Sequence, residues 1–340
     1  MTTSIIQQTN KHNPIPKMSS LLAHQKLSKN EAYNTLLRIG KGDFNHSQIA
    51  AFLTIFLMRK ISTEELEGFQ QALLDLCIQI DFSDYTTIDL CGTGGDSKNT
   101  FNISTLAAFV VAGAGYKVAK HGNYGVSSTC GSSNVLEYLG YTFTNNQDEL
   151  QKQLETANFC MMHAPLFHPA MKNVAPVRKE LGVKTFFNML GPLVNPCKPN
   201  NQLIGVYNLE IARIYNYILQ KSNKNFVIVH SLDGYDEISL TGSFKKITNT
   251  NETLLNTEQI GFPTHHPTAI FGGKTIQDAA TIFVKVLKNE GTQEQQNVVL
   301  ANAAHAINCM EPNLSIDACV IIARESLVTG KAYNSLKKVL

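Results

Sequence analysis

The sequence predicts an α/β protein with a small N-terminal helical domain and a large domain built on a mainly parallel central sheet. Three observations predict it. Three helix-start signatures stand before apolar residues at helical spacing in the first quarter of the chain. Near Asp84 the pattern changes to strand, glycine-rich turn, apolar helix and second strand, the order of a β-α-β unit and hence of a parallel sheet. From Gln277 to Leu340, Ala-rich helical stretches follow one another.

The opening from Met1 to Pro16 is polar and rich in Thr, Gln and Asn, with no apolar core of the signal-peptide kind. Residues 1–18 are therefore expected to form a flexible tail. The helical domain is expected over 19–84. Ser28 with Glu31 forms one capping box, with Gly40 as the expected stop. Asn45 with Gln48 opens the run Ile49, Phe52, Leu53, Phe56, Leu57, and Ser62 with Glu65 opens Leu66, Phe69, Leu73, Leu74. Helices this short need one another, a later segment or a second subunit to bury their apolar faces. The stretch 165–196, rich in Pro and Gly turns, is expected to return in part to them. The remainder, 85–340, is the α/β domain. Its strands are expected at Thr87–Leu90, Tyr116–Ala119, Leu203–Tyr207 and Phe226–His230, with a helix from about Ser104 to Ala114.

Composition narrows the classes. Of 340 residues, 43% are hydrophobic, enough for a sizeable core, and 16% are charged. The net charge is +2 with no long run of one sign, which argues against a general nucleic-acid binder. No apolar stretch reaches the length of a membrane span. The seven cysteines are Cys77, Cys91, Cys130, Cys160, Cys197, Cys309 and Cys319. Their number is odd and no close pair has metal-ligand spacing, so reduced thiols in a cytoplasmic protein are expected.

The chemistry gathers at two turns. Cys91-Gly92-Thr93-Gly94-Gly95-Asp96 follows the first strand. Its glycines let the backbone approach a ligand, and the next helix start, at Asn102, Ser104 or Thr105, adds a positive dipole end. That combination favours a phosphate or pyrophosphate. The spacing matches neither GxGxxG nor GxxxxGK[ST], so a dinucleotide fingerprint and a P-loop are both unsupported. The second strand runs into Lys120-His121-Gly122-Asn123-Tyr124-Gly125-Val126-Ser127-Ser128, and a parallel sheet sets this turn beside the first. Read singly, Lys120 is a solvated lysine, Asp236 and Glu237 a solvated turn, and Arg178 a surface arginine. Pro176 and Gly182 around Arg178 argue for a defined turn.

The chain resembles the anthranilate phosphoribosyltransferase family from about Leu21 to its end. The likeness rests on GTGGD at 92–96 with NIST at 102–105, KHGN at 120–123, the long run HPAMKNVAPVRKELGVKTFFNMLGPLVNP from His168 to Pro196, and DGYDEIS at 233–239. It implies a fold of the nucleoside phosphorylase/phosphoribosyltransferase type, with the active site between a helical and an α/β domain. It also implies a homodimer joined through the helical domains, and transfer of the ribosyl group of phosphoribosyl pyrophosphate (PRPP) to the amine of anthranilate with Mg²⁺, in tryptophan biosynthesis. By the same resemblance PRPP falls on Gly92, Gly95, Asp96, Thr100, Asn102, Ile103, Ser104, Thr105, Lys120, His121, Gly122, Asn123, Ser127, Ser128 and Ser132. Anthranilate falls near Gly92, Asn123 and Arg178, and the metal on Ser104, Asp236 and Glu237. No general base is implied: positioning and electrostatics carry the reaction.

Two departures stand out, Tyr124 where the family usually has Arg and Asn134 where it usually has Asp. They suggest an ion pair replaced by a neutral hydrogen bond. Two alternatives remain open on sequence alone, a pyrimidine nucleoside phosphorylase and a non-catalytic, nucleic-acid-binding relative.

Overall fold

The computed structural model describes residues 14–125 and 130–340. These fall into two compact units. One consists of the described residues of Met1–Cys77 with His168–Leu190, the other of Ile78–Phe167 with Gly191–Leu340.

The helical unit follows from its caps. Helices Lys29–Lys41, His46–Met58 and Thr63–Leu76 each begin at a full capping box, on Ser28, Asn45 and Ser62. The first does not stop at Gly40. It runs to Lys41 and ends on Gly42, whose φ of 84° is the left-handed conformation of a helix C-terminus. Gly40 serves packing instead: a Cβ there would lie 2.6 Å from a Leu76 methyl and 3.1 Å from Ala170 Cβ. Part of the expected tail is also structured. Ile15 is buried, and a short helix, Met18–Leu22, buries Leu21. Residues 1–13 lie outside the described residues.

The segment His168–Leu190 joins this unit through aromatic rings. Phe186 stacks on Phe69 with centroids 4.5 Å apart and meets Phe56 edge-on at 5.1 Å, and Phe52 meets it at 6.2 Å. Asn173 Nδ2 donates to the Gly40 carbonyl at 2.8 Å. Beside this cluster Arg59 grips Glu65 with two bonds of 2.9 and 2.5 Å, both side chains buried, while Glu65 also accepts from the backbone of Leu27 and Ser62. Burial alone would raise the Glu65 pKa; Arg59 and these N–H groups bring it below its ordinary value.

The other unit holds a sheet that has seven strands among the described residues: β1 (Thr87–Gly92), β2 (Lys117–Gly122), β3 (Phe159–His163), β4 (Asn201–Gly205), β5 (Asn225–Ser231), β6 (Phe244–Thr248) and β7 (Glu252–Leu255). Their order is β3-β2-β1-β4-β5-β6-β7. The first five run parallel, and β6 and β7 add an antiparallel edge. Alternation along each strand divides the faces. Ile88, Leu90 and Val118 pack in the large core with helices Ile103–Gly113 and Gln293–Met310, and Ala119 faces a smaller core with Cys160, Met162 and Phe167. Ile80 and Phe82 belong to that smaller core, so 78–84, expected with the helices, group with the sheet.

The chain adds β2 and β3 on one side of β1, then returns to add β4 and β5 on the other. Strand order therefore reverses between β1 and β4, and the carboxyl ends of those strands flank the crevice where open α/β sheets hold ligands. Phe186→Ala is expected to cost about 3–5 kcal/mol, read as a lower urea midpoint. An unchanged midpoint would remove the ring cluster as the tie between 168–190 and the helices.

Candidate functional site

At the reversal of strand order, Asp236 lies over both strand ends. Its Oδ2 accepts from the Gly94 N–H at 2.6 Å, a contact across 142 residues of sequence. A Cβ on Gly92 would stand 2.5 Å from that same oxygen, and one on Gly205 would stand 1.6 Å from the Asp236 carbonyl oxygen. Neither strand end tolerates a side chain while Asp236 is there. The turn that carries Asp236 is fixed behind it. Ser231 Oγ donates to the Glu237 carbonyl at 2.7 Å, and Asn302 bonds both polar backbone groups of Ile238 at 3.1 and 2.9 Å.

Three carboxyl groups crowd this spot. Burial, and then the neighbouring Asp96 charge, push Asp236 up to about 7. Burial raises Asp96 too, against the pull of the Lys98 N–H that its side chain accepts at 3.0 Å. Glu237 is raised well above its ordinary value by burial and by the Asp236 charge, with Lys120 and the Ser104 backbone at the start of helix Ile103–Gly113 pulling the other way. The solvated acidic turn expected from the sequence is thus replaced by one in which Asp236 is buried, Glu237 is half-buried and the Asp236 charge acts on Glu237. Oxygen donors so arranged suit a divalent cation that keeps some of its waters. No trio of His, Cys, Asp or Glu side chains among the described residues forms a ready-made cage; Ser104, Asp236 and Glu237 are the oxygen donors that would serve one.

Lys120 is buried rather than solvated. It lies on the face of β2 that meets helix Ile103–Gly113, and its ammonium reaches the Leu90 carbonyl and, at 3.4 Å, Ser104 Oγ. The β1 and β2 turns are thereby linked through Ser104. His121, on the opposite face, is turned away from the crevice. Its N–H donates to Asp89 at 3.1 Å and its Nδ1 bonds the Gly191 carbonyl at 3.0 Å, while burial lowers the ring to about 4, so it stays neutral. Asp89, fully buried and raised by burial, accepts in addition from Asn195 at 2.9 Å. Sequence reasoning missed Asp89, Asn195 and Gly205. The one available signal was Gly205 inside the strand pattern Leu203–Tyr207, since a glycine there marks close backbone approach.

Gly95 is buried within the turn. Thr100 pairs as an isolated antiparallel bridge with Phe271, which stitches down the approach to the helix. Asn102 holds the N-cap position without capping by its side chain: Nδ2 donates to the Cys130 carbonyl at 3.0 Å, and buried Oδ1 finds no partner among the described residues. Ile103 and Thr105 are core positions of the helix. Ser132 Oγ donates to the Asn123 carbonyl at 3.3 Å, and a Cβ on Gly122 would meet that Oγ at 2.4 Å. Ser127 and Ser128 lie outside the described residues. The expected Tyr124–Asn134 hydrogen bond is replaced by two separate arrangements. Tyr124 donates to Glu137 at 3.1 Å, and Asn134 Oδ1 accepts from the Gly125 and Gly131 backbones.

Arg178 belongs to the helical unit. It sits in a short helix, Ala175–Leu181, with Pro176 in its first turn and Gly182 closing it at φ 65°, where the sequence suggested a turn. One guanidinium nitrogen donates to Asn188 at 3.2 Å, and the group lies 5.4 Å from the Phe187 ring centre. Its buried Nε has no partner among the described residues, and burial lowers its pKa. Among the described residues no ion pair is recorded for this planar cation, and its fork has the geometry that suits a carboxylate.

Comparison with known proteins adds the following. A model of the glycosyl transferase family, helical bundle domain, matches residues 18–77, and one of the glycosyl transferase family, a/b domain, matches 84–333. Anthranilate phosphoribosyltransferase from Cytophaga hutchinsonii is 56% identical over 323 residues, 95% of this chain and 98% of the relative. The crystal structure of anthranilate phosphoribosyltransferase from Thermus thermophilus gives a TM-score of 0.88 at 31% identity, covering 95% of this chain and 97% of that one. The Saccharomyces cerevisiae enzyme in complex with PRPP and Mg gives 0.87 at 28% identity over 94% of each chain. With 4-fluoroanthranilate it gives 0.85 at 26% over 95% of each.

The carboxyl cluster has a measurable cost. The native pKa of Asp236 is raised from 3.8 to about 7. Its protonated form therefore favours the fold fully below 3.8, and that contribution is lost as pH rises through about 7. Asp236→Asn should raise the melting temperature of the chelator-treated protein at pH 8, and raise it less at pH 5. Equal or negative shifts at the two pH values would contradict the crowding.

Proposed function

The chain belongs to the anthranilate phosphoribosyltransferase family, and we propose that it performs that reaction at the carboxyl edge of β1, β2 and β4. PRPP would give up its pyrophosphate, and the anthranilate amine would take the ribosyl carbon, yielding N-(5-phosphoribosyl)anthranilate. The observation that carries the reading is the junction at Asp236, where two glycine-ended strands, a helix start and a crowded carboxyl pair converge. The relatives named above are anthranilate phosphoribosyltransferases, which decides against the phosphorolytic and nucleic-acid-binding alternatives.

The roles follow from chemistry. Backbone N–H groups of the turn at Gly92 and Gly95 suit phosphate oxygens, and Asn102, Ile103, Ser104 and Thr105 bring the positive end of the helix to them, the Ile103 N–H itself being held by the Phe101 carbonyl. Asp96 and Thr100 shape that turn, and Gly122, Asn123, Ser127, Ser128 and Ser132 supply the second one. Lys120 contributes positive charge through the buried link to Ser104, and His121 supports the turn from beneath. Ser104, Asp236 and Glu237 would hold Mg²⁺, whose chemistry is to neutralise the leaving pyrophosphate. Arg178 suits the carboxylate of anthranilate as a bidentate partner, with Gly92 and Asn123 near the ring. The aromatic amine is neutral at pH 7, so no general base is needed; the protein's task is alignment and water exclusion. We place the enzyme in the cytoplasm. We further assign it a homodimer through the helical unit, where Leu22, Leu57 and Met58 leave apolar surface uncovered within the chain.

The test is the loss of anthranilate fluorescence on mixing protein, PRPP and Mg²⁺. Wild-type protein should consume anthranilate, and consumption should stop with EDTA; persistent fluorescence would reject the reading. Arg178→Ala should raise the anthranilate KM by about tenfold or more, as loss of a charged hydrogen-bonding partner does, and leave the PRPP KM nearly intact. An unchanged anthranilate KM would remove Arg178 from the site.

A further inference from the structure

The β2 turn and the helix Ser132–Tyr138 are fastened together more tightly than a surface loop requires. The Asn123 carbonyl accepts from Ser133 N–H at 3.2 Å and from Ser132 Oγ at 3.3 Å. Asn123 Oδ1 accepts from the Tyr124 N–H at 2.8 Å. The Tyr124 ring meets His163 edge-on at 4.8 Å, and His163 is held by a 2.8 Å bond to Ser133. Two backbones touch at the centre: a Cβ on Gly131 would lie 2.2 Å from Gly125 N.

One side chain bridges that contact. Asn134 Oδ1 accepts from Gly131 N–H at 3.0 Å and from Gly125 N–H at 2.9 Å. The first bond alone is ordinary, since a residue at the third helical position often reaches back to the N-cap N–H. The second leaves the helix and ties the turn to it. A carboxamide oxygen has two lone pairs, and both are used here on backbone donors that converge on it. We propose that Asn134 is a positioning residue for PRPP: by holding Gly125 against Gly131 it sets the geometry of Asn123 and Ser132. This rests on the proposed function, in which those two residues touch the phosphoribosyl group. It goes beyond that reading by assigning a role to a side chain that touches no substrate.

Two substitutions separate this from general stability. Asn134→Leu keeps the size and removes the acceptor. Asn134→Asp keeps an acceptor oxygen in the same place. The Leu variant should raise the PRPP KM about tenfold, as the loss of two hydrogen bonds implies, with its melting temperature within a few degrees of wild type. The Asp variant should return the KM to within about threefold of wild type. Residue-resolved amide exchange provides a readout independent of activity: Gly125 and Gly131 N–H should be protected in the wild-type protein and exchange faster in the Leu variant. A wild-type PRPP KM in the Leu variant, or an Asp variant as impaired as the Leu one, overturns the proposal. So does unprotected exchange of both amides in the wild type, which also decides the matter should the Leu variant fail to fold. Failure of the wild-type protein to consume anthranilate would instead strike the functional reading, leaving the exchange result to stand by itself.

Discussion

Asp236 occupies space that no side chain at the ends of β1 and β4 is able to share, and much of the site's architecture follows from that constraint. Its carboxylate sits on Gly94 N–H, and its backbone presses on Gly205. Glycine is required at 92 and 205 for this close approach and not for unusual dihedral angles, since neither has a positive φ. The approach brings an acidic turn to the point where strand order reverses, next to the start of a helix. N–H groups suited to an anion and oxygens suited to a cation thus meet in one place, which a metal-bound diphosphate would demand and few other ligands would.

The surrounding parts carry complementary strain and support. Burial holds Asp96, Asp236 and Glu237 above their ordinary pKa values, and charge repulsion adds to it at Asp236 and Glu237, a state that a bound cation would relieve. Functional sites commonly retain such local cost while the rest of the fold supplies the stability. Lys120 and Asp89 come from opposite faces of neighbouring strands, one bonding upward to the helix start and the other downward to Asn195. The two turns are consequently fixed from both faces of the sheet.

Legibility in the sequence followed the range of the interactions. All three capping boxes were readable because each depends on residues three apart. Strands β1, β2, β4 and β5 were readable from short apolar runs. β3 was not, because Phe159-Cys160-Met161-Met162-His163 has no β-branched residue and no alternation. β6 and β7 were hidden by polar, Thr- and Asn-rich composition, as befits an edge hairpin exposed on one side. Gly40 misled because a glycine near a helix end looks like a cap, whereas here it admits Leu76. At the site, the glycine-rich turn announced an anion, but the burial of Lys120, the place of Asp236 and the double bond-acceptance of Asn134 depend on contacts between segments distant in sequence, or across a turn of unforeseen shape. Those roles were accessible only through the family resemblance or not at all.

The central claim is that the close packing of Asp236 against the glycine at the end of β4 is what makes the diphosphate site. Calorimetric titration of PRPP in the presence of Mg²⁺ into Gly205→Ala tests it, with Gly242→Ala as control, since a Cβ at 242 meets nothing within 4 Å. The account predicts that the Gly205 variant keeps its helical circular dichroism and binds PRPP at least about tenfold more weakly, while the Gly242 variant binds as the wild type does. Wild-type affinity in the Gly205 variant would contradict it.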